Sequence, residues 1–249
     1  MAHIRCDFRS EVMDMGTSMT VFLPEAVDCR NVRVVYLFHG LADNCTGWAR
    51  YTSVERYARR YDVAVVIPEV QRSFYSDMRF GIPYYSFIHD ELPKLCRNMF
   101  GFSSKRENNY VMGLSMGGYG ALKCVLNTPK RYAGCAAFSA VTDFEHEVNN
   151  TTEQRTAEHK AMFGQSLRIP ADSNLHGLLD KRSTEELPPF YIACGKQDRL
   201  CEQDEAFSGM LKSKGASVLF EKWDGIHNWD FWDVAVEKAF RYFFEETAR

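Results

Sequence analysis

The sequence predicts an α/β protein in which about eight strands form a mostly parallel sheet with helices on both faces. Strand-like apolar runs alternate with segments of helical spacing along most of the chain. The 249 residues are enough for one such domain, and 45% hydrophobic and 25% charged residues are ordinary for a globular protein. We therefore expect a single domain over residues 1–249.

The predicted strands are apolar runs that end at turn-forming residues. Two early strands, Ile4–Ser10 and Met19–Leu23, are expected to pair as a hairpin at one edge of the sheet. The later strands are Val32–Phe38, Val63–Pro68, Asn109–Met112, Gly134–Ser139, Phe190–Cys194 and Val218–Glu221. Because helical segments separate most of the later strands, we expect them to run parallel.

The predicted helices carry apolar residues at helical spacing. They are Trp48–Arg60, Tyr84–Met99, Gly117–Leu126 and Trp229–Glu246. Pro93 falls inside the second, where a proline kinks or splits a helix. Residues 140–187 are polar with only short apolar patches, and they lie between two predicted strands. We interpret this stretch as a small lid or cap inserted into the domain, and a meandering surface connection is the alternative.

One predicted strand leads directly into the motif G-x-S-x-G, which here is Gly113-Leu114-Ser115-Met116-Gly117. In this motif a sharp turn between a strand and a helix holds the serine hydroxyl out at the top of a sheet. The Met116 N–H, at the start of the helix, would point to the place where an oxyanion forms. An ordinary glycine-rich turn is the alternative, but the flanking strand and helix favour a nucleophilic Ser115.

A serine hydroxyl needs a base, and the base needs an acid that orients it. In hydrolases with this motif, the acid and then the histidine follow the serine along the chain, in loops after strands. Asp198 follows the seventh predicted strand, and His227 is the histidine that follows the eighth. We therefore predict a triad of Ser115, Asp198 and His227. The alternatives for the acid are Asp204, Asp224 and Asp230.

The second oxyanion donor is expected in the loop after the third strand, which begins His39-Gly40-Leu41. Gly40 lets the backbone turn beneath the serine, so the Leu41 N–H is the predicted donor. His39 is expected to support this loop by hydrogen bonding. Trp48 and Trp229 adjoin the catalytic loops and are the candidates for the substrate pocket, although most aromatic residues are expected in the core.

Composition and charge argue against several classes of protein. A formal net charge of −3 gives no indication of binding to nucleic acid or an anionic membrane. The chain has no apolar run long enough to span a membrane, and its first residues lack the apolar stretch of a secretory signal. The eight cysteines form no C-x-x-C pair, and several lie in apolar runs. We therefore expect buried thiols, a cytoplasmic location and no metal site.

The chain resembles the esterase D-type branch of the α/β hydrolases over essentially its whole length. The resemblance rests on three segments. They are the nucleophile elbow, which is the turn from strand to helix over Gly113 to Ala121, the His39-Gly40 turn followed by Trp48, and the segment His227-Asn228-Trp229. Its ending and modest length are most similar to the bacterial tributyrin-type carboxylesterases. This resemblance implies the α/β-hydrolase fold, a triad on Ser115, Asp198 and His227, and a preference for short acyl chains.

These features together predict a serine carboxylesterase that hydrolyses short-chain acyl esters of small molecules through an acyl-Ser115 intermediate, with no cofactor. The same triad would also serve an acetyl- or feruloyl-sugar esterase, an S-formylglutathione hydrolase-like thioesterase, or an acyltransferase. A binding protein with a decayed hydrolase fold is disfavoured because every triad position is filled. The oligomeric state is open, and a homo-oligomer is one of its alternatives.

Overall fold

A computed structural model describes residues 1–245, and within these residues eight strands form one sheet. The strands are β1 (Ala2–Ser10), β2 (Met15–Leu23), β3 (Arg33–Phe38), β4 (Val63–Pro68), β5 (Asn109–Leu114), β6 (Gly134–Phe138), β7 (Phe190–Gly195) and β8 (Val218–Trp223). Their order across the sheet is β1-β2-β4-β3-β5-β6-β7-β8. The β1–β2 and β2–β4 pairs are antiparallel and all other pairs are parallel. The predicted edge hairpin and the α/β-hydrolase fold are confirmed.

Burial along the strands explains why the central ones are apolar throughout. Every residue of β4 is buried, because helices cover both faces of the sheet. In β3, Val34 and Tyr36 join the apolar cluster on one face, and Val35 and Leu37 join the cluster on the other. The edge strand β1 instead alternates between half-buried and exposed residues. The burial pattern therefore distinguishes the middle of the sheet from its edge.

Helices pack on both faces of this sheet. In chain order they are α1 (Gly47–Tyr51), α2 (Val54–Arg60), α3 (Tyr84–Ser86), α4 (Leu92–Phe100), α5 (Met116–Asn127), α6 (Phe144–Asn149), α7 (Glu153–Phe163), α8 (Leu175–Asp180), α9 (Cys201–Ser213) and α10 (Trp229–Phe244). Helices α1, α2 and α10 contribute to one apolar cluster, and α3 to α9 contribute to the other. The predicted end of the last helix, Glu246, lies outside the described residues. Within residues 1–245, none of these helices is long and apolar enough to span a membrane.

The prediction of one helix over Trp48–Arg60 is wrong, because the chain breaks between α1 and α2. Thr52 is extended, with φ −134° and ψ 171°, and its hydroxyl donates to the carbonyl of Trp48. The Ser53 N–H donates to Asp233 Oδ1 of α10 at 2.8 Å. The break thus anchors the start of α2 against α10.

The helical stretch that begins at Tyr84 continues through Pro93, and a π-helical turn at Phe87–Glu91 precedes the proline. Pro93 lies in the first turn of α4, where a missing N–H costs little. A proline cannot donate to the carbonyl four residues earlier, which is that of His89. The guanidinium of Arg131 donates to that carbonyl instead. In place of the predicted kink or split at Pro93, the helix is therefore locally widened by the π-helical turn before the proline.

The polar stretch 140–187 contains α6, α7 and α8. A side-chain oxygen caps the start of each helix, from Asp143, Thr152 and Asn174 respectively. This capping explains why a segment rich in Thr, Asn and Asp forms helices that periodicity alone did not predict. The first residues of the stretch are held by α9, where Gln203 Oε1 accepts from the Thr142 N–H at 2.9 Å.

Candidate active site

Ser115 lies between β5 and α5 in a backbone conformation that side chains rarely adopt, with φ 52° and ψ −117°. The glycines on either side make this turn feasible. A Cβ on Gly113 would lie 2.3 Å from the Gly117 carbonyl oxygen, and one on Gly117 would lie 2.4 Å from that of Phe38. The sharp turn therefore requires glycine at both positions.

The structure brings the three residues of the predicted triad together. His227 Nε2 lies 3.0 Å from Ser115 Oγ, and His227 Nδ1 lies 2.7 Å from Asp198 Oδ2. Asp198 follows β7 and His227 follows β8, so both come from loops at the carboxyl edge of the parallel strands. A continuous hydrogen-bonded chain therefore links the carboxylate, the imidazole and the hydroxyl.

The surroundings of Asp198 keep its carboxylate ionised. Burial alone would raise the pKa of Asp198, but its hydrogen bond to His227 and the nearby imidazole charge lower the pKa below its ordinary value. The Leu200 N–H donates to the other oxygen, Oδ1, at 3.0 Å. An ionised carboxylate in this position can stabilise a positively charged imidazole.

The other aspartates considered for the acid make different contacts. Asp204 is fully buried, burial raises its pKa, and its Oδ2 accepts from the Ala140 N–H at 2.9 Å. Asp224 pairs with Lys196 at 3.2 Å. Asp230 Oδ2 accepts from the Asn228 side chain at 3.2 Å. Among these candidates, the hydrogen bond to the His227 ring is made by Asp198.

The loop after β3 is supported from beneath by His39, which is fully buried. Its Nδ1 lies 2.8 Å from the Gly40 carbonyl oxygen, and the Val70 N–H donates to its Nε2 at 3.2 Å. Because a carbonyl can only accept and an N–H can only donate, these partners select the neutral ring with its proton on Nδ1. Burial also lowers the pKa of His39. His39 thus connects the loop that carries Leu41 to the residues after β4.

A cavity of about 530 Å³ opens above Ser115 and His227. Its apolar wall consists of Leu41, Phe74, Leu114, Val141, Trp229 and Trp232. Met116, the first residue of α5, is fully buried and is not among the residues that line this cavity. A larger and shallower groove of about 1050 Å³ lies over Phe163 and Arg168, and its lining contains no triad residue. The smaller cavity is therefore the one where the triad can act.

Of the two tryptophans predicted to line the pocket, the structure places Trp229 on the cavity wall and Trp48 behind it. Trp48 is fully buried, and its indole N–H donates to the Phe38 carbonyl oxygen at 3.0 Å. Its ring meets Trp229 edge-on, with 5.2 Å between the ring centroids. Trp48 is thus a packing residue that supports the wall.

Charged side chains on the cavity wall were not predicted from the sequence. Arg72, Glu147, Arg155 and Arg199 all line the cavity. Arg199 directly follows Asp198, which is the one signal in the sequence that could have identified it. The other three lie in polar stretches and resemble ordinary surface residues until the fold brings them over Ser115.

The chain is similar in sequence and in fold to known esterases and serine hydrolases. The chain matches the family model named Esterase, described as "Putative esterase", over residues 10–243. It is 30% identical to an acetyl esterase of Caldicellulosiruptor saccharolyticus, over 97% of this chain and 98% of that protein. Similar solved structures include the fluorophosphonate-binding serine hydrolase F of Staphylococcus aureus with substrate bound (31% identity, TM-score 0.89, 98% of both chains). An S-formylglutathione hydrolase of Staphylococcus aureus is also similar (31% identity, TM-score 0.86, 98% of both chains). This chain therefore belongs to the esterase family, as its resemblance to α/β-hydrolase esterases predicted.

Proposed function

We propose that this protein is a serine carboxylesterase that hydrolyses short-chain acyl esters through an acyl-Ser115 intermediate. The main support is the position of His227, which bridges Ser115 Oγ at 3.0 Å and Asp198 Oδ2 at 2.7 Å at the base of an open cavity. A nucleophile, a base and an orienting acid in this geometry suit acyl transfer.

In the first half of the proposed reaction, His227 Nε2 accepts the Ser115 proton while Oγ attacks the ester carbonyl carbon. The Leu41 and Met116 N–H groups hold the resulting oxyanion. Asp198 stabilises the imidazolium through Nδ1. As the tetrahedral intermediate collapses, the bond to the alcohol oxygen breaks. His227 passes its proton to that oxygen, and acyl-Ser115 remains.

In the second half, water takes the place of the alcohol. His227 Nε2 accepts a proton from the water as its oxygen attacks the acyl carbon, and a second oxyanion forms in the same place. Collapse breaks the bond to Oγ and returns the proton from His227 to Ser115. The products are the alcohol and the carboxylic acid, and the enzyme regains its starting state.

We further propose that residues 1–249 form one domain in which residues 140–187 act as a cap over the triad. Helices α6 and α7 contribute Glu147 and Arg155 to the cavity wall. On α7, Glu158 also accepts two hydrogen bonds from Arg72, at 2.9 and 3.0 Å. These contacts connect the stretch to the loops that surround Ser115.

The cavity above Ser115 has room for a short acyl chain. The similarity to an acetyl esterase also supports a short-chain substrate. Each methylene that enters an apolar site gains about 0.8 kcal/mol, so kcat/KM should rise from the acetyl ester at first. It should fall once the apolar wall is filled, because overpacking costs about 1–3 kcal/mol. We expect an optimum between acetyl and hexanoyl among p-nitrophenyl esters, and a preference for dodecanoyl or longer chains would contradict the proposal.

The decisive test of the mechanism is Ser115→Ala. Loss of the nucleophile from a triad costs about 10⁶ in kcat, so hydrolysis of p-nitrophenyl butyrate should nearly vanish while the melting temperature stays close to that of the wild type. A fluorophosphonate should form one adduct on the wild type, at Ser115, and none on the variant. Ser166→Ala, at an exposed serine in the shallow groove, is the matched control and should keep full activity. Activity of Ser115→Ala within tenfold of the wild type would overturn the mechanism.

A second candidate is thioester hydrolysis by the same triad, which the similarity to an S-formylglutathione hydrolase favours. The two candidates differ only in the leaving atom. Rates on an oxygen ester and a thioester with the same acyl group would therefore decide between them.

A further inference from the structure

The cavity wall contains a carboxylate held between two guanidinium groups. Arg155 Nη1 donates to Glu147 Oε1 at 2.7 Å, and Arg199 Nη1 donates to Glu147 Oε2 at 3.1 Å. The Glu147 side chain is only 7% exposed, whereas those of Arg155 and Arg199 are 31% and 59% exposed. Two cations facing one buried carboxylate leave one positive charge in excess within this cluster of three side chains.

Most of the guanidinium N–H donors of Arg155 and Arg199 make no hydrogen bond within residues 1–245. A guanidinium carries five N–H donors. Within residues 1–245, the side-chain hydrogen bonds of Arg155 and Arg199 go to Glu147 alone, one from each arginine. Glu147 also holds the two guanidinium groups in place. The binding of an anion would therefore cost little further side-chain entropy. Arg72 differs, because Glu158 engages its guanidinium through two hydrogen bonds.

The sheet order places Arg199 on the same side of the cavity as His227, and Arg155 lies there too because it donates to the same Glu147 carboxylate. Ser115 follows the central strand β5, and Leu41 follows β3 on one side of it. Arg199 and His227 follow β7 and β8 on the other side. Since His227 must deliver its proton to the leaving oxygen, the alcohol part of the ester lies towards His227.

We propose that Arg155 and Arg199 form an anion-binding subsite that selects esters whose alcohol part carries a carboxylate or phosphate group. The inference rests on the proposed esterase function and adds the chemical class of the leaving group. Guanidinium groups suit both anions, because their planar N–H donors match pairs of anionic oxygens. Glu147 is the positioning residue of the subsite.

The test compares two substrates that differ in one charge, 4-nitrophenyl butyrate and 3-carboxy-4-nitrophenyl butyrate. We expect the wild type to prefer the carboxylated ester in kcat/KM and to lose that preference as salt screens the charges. Arg155→Gln and Arg199→Gln should each reduce the preference about fivefold to tenfold, mainly through KM. The neutral ester should lose less kcat/KM than the carboxylated ester in both variants, so the ratio of the two values is the result that tests the subsite. Arg199→Lys keeps the charge without the planar donors and should restore part of the preference.

Arg60→Gln is the matched control for Arg199→Gln, because Arg60 is an ion-paired arginine on α2 that is as exposed as Arg199 and does not line the cavity. Its ratio of the two rates should equal that of the wild type. Benzoate and phenyl phosphate, used as competitive inhibitors, distinguish the two anions. Inhibition by either compound supports the subsite if Arg199→Gln weakens that inhibition. Inhibition by neither compound overturns the subsite.

Other outcomes would also overturn the inference. A wild type with no preference for the carboxylated leaving group would do so, as would a preference for a carboxylate on the acyl part, tested with the succinyl monoester of 4-nitrophenol. An equal loss of both activities in Arg155→Gln and Arg199→Gln would show that the cluster only holds the cap. Failure of the esterase function itself is distinguishable, because the wild type would then leave the neutral ester intact.

Discussion

Gly113 and Gly117 show at the scale of single residues how the elbow depends on the absence of side chains. We predict that Gly113→Ala lowers the free energy of unfolding by at least the ~1–3 kcal/mol typical of overpacking, because the new Cβ would meet the Gly117 carbonyl oxygen at 2.3 Å. Thermal unfolding should shift down by several degrees, at about 2–4 °C per kcal/mol. Gly16→Ala is the control, because a Cβ there meets nothing within 4 Å. Equal melting temperatures for the two variants would contradict this reading of the elbow.

Lys123 is a second residue whose burial has a measurable effect. Its ammonium group, buried in α5, donates to the Tyr75 carbonyl oxygen at 3.1 Å and to Ser173 Oγ at 2.9 Å. Burial lowers the pKa of Lys123 from 10.5 to about 8. Tyr75 in turn donates its hydroxyl to the His39 carbonyl oxygen at 3.0 Å. Lys123 therefore links α5 through Tyr75 to the loop after β3 that begins with His39.

We predict that the stability of the wild type rises relative to Lys123→Met between pH 8 and pH 10. In this range the unfolded chain still binds a proton at Lys123 that the folded protein has released, so a higher pH favours the folded state. Methionine does not titrate, and the variant lacks this gain. Chemical unfolding of both proteins at each pH measures the difference. If the free energy of unfolding of the wild type stays constant or falls relative to that of Lys123→Met as the pH rises, Lys123 is not desolvated as described.

At the scale of secondary-structure elements, α7 contains a buried polar group at an energetic disadvantage. His159 is fully buried, and within residues 1–245 neither ring nitrogen has a hydrogen-bond partner. Its ring meets Phe74 and Phe144 edge-on, with centroids 6.2 and 5.8 Å away. Since Phe74 lines the active-site cavity, the packing of α7 reaches the cavity wall.

We predict that His159→Phe raises the melting temperature at pH 7 by a few degrees. A buried polar group without a partner costs about 1–3 kcal/mol, and phenylalanine removes that cost while keeping a ring in the same aromatic surroundings. His146→Phe, at an exposed position on α6, is the control and should change the melting temperature little. A lower melting temperature for His159→Phe than for the wild type would contradict this prediction.

The same pair of proteins tests a pH dependence. Burial lowers the pKa of His159, so below about pH 6.5 the unfolded chain binds a proton that the folded protein resists, and the folded state loses stability. Phenylalanine does not titrate. The advantage of His159→Phe over the wild type should therefore grow as the pH falls from 7 to 5. An advantage that shrinks in acid would rule out a neutral, desolvated His159.

The elements differ in how well the sequence predicts them. The buried strand β4 was predicted with its observed bounds, because a fully apolar run ended by proline is an unambiguous signal. The break at Thr52 was missed, since it depends on a contact with Asp233, far away along the chain. The helices of residues 140–187 were missed because their stability depends on caps and on packing against the body rather than on periodicity.

At the scale of the whole molecule, burial lowers the reactivity of most of the cysteine thiols. All eight cysteines are free thiols, six of them buried and two, Cys6 and Cys29, half-buried. Burial raises the pKa of the deeply placed thiols, for example that of Cys96 to about 12. Such thiols are rarely ionised near neutral pH and react slowly.

We predict that a thiol reagent such as 5,5′-dithiobis(2-nitrobenzoate) reacts quickly with at most two cysteines of the native protein at pH 7.5, those at Cys6 and Cys29. In guanidinium chloride all eight should react. Cys29→Ser should lower the native count by one. Rapid reaction of more than two thiols in the native protein would contradict the packing described here.

The residues of the proposed triad could be predicted from the sequence, but the charged side chains on the cavity wall could not. Ser115, Asp198 and His227 were identified because each lies in a loop after a recognisable strand, in an order that the fold requires. Glu147 and Arg155 lie in a polar stretch whose path over the cavity depends on long-range packing. Local pattern therefore predicts the reaction type, whereas the proposed preference for a charged leaving group rests on contacts that only the folded structure shows.

Loops that follow separate strands, together with residues of the cap and of α10, build the cavity, and the sheet beneath them is almost entirely apolar. Leu41, Arg72, Ser115, Arg199 and His227 follow β3, β4, β5, β7 and β8 respectively. Because loops tolerate substitution far better than a packed sheet does, selectivity can diverge while the scaffold persists. In laboratory evolution, libraries randomised at cap and loop positions should yield many folded variants with new substrate ranges, whereas libraries of the same size in the central strands should yield mostly unfolded chains.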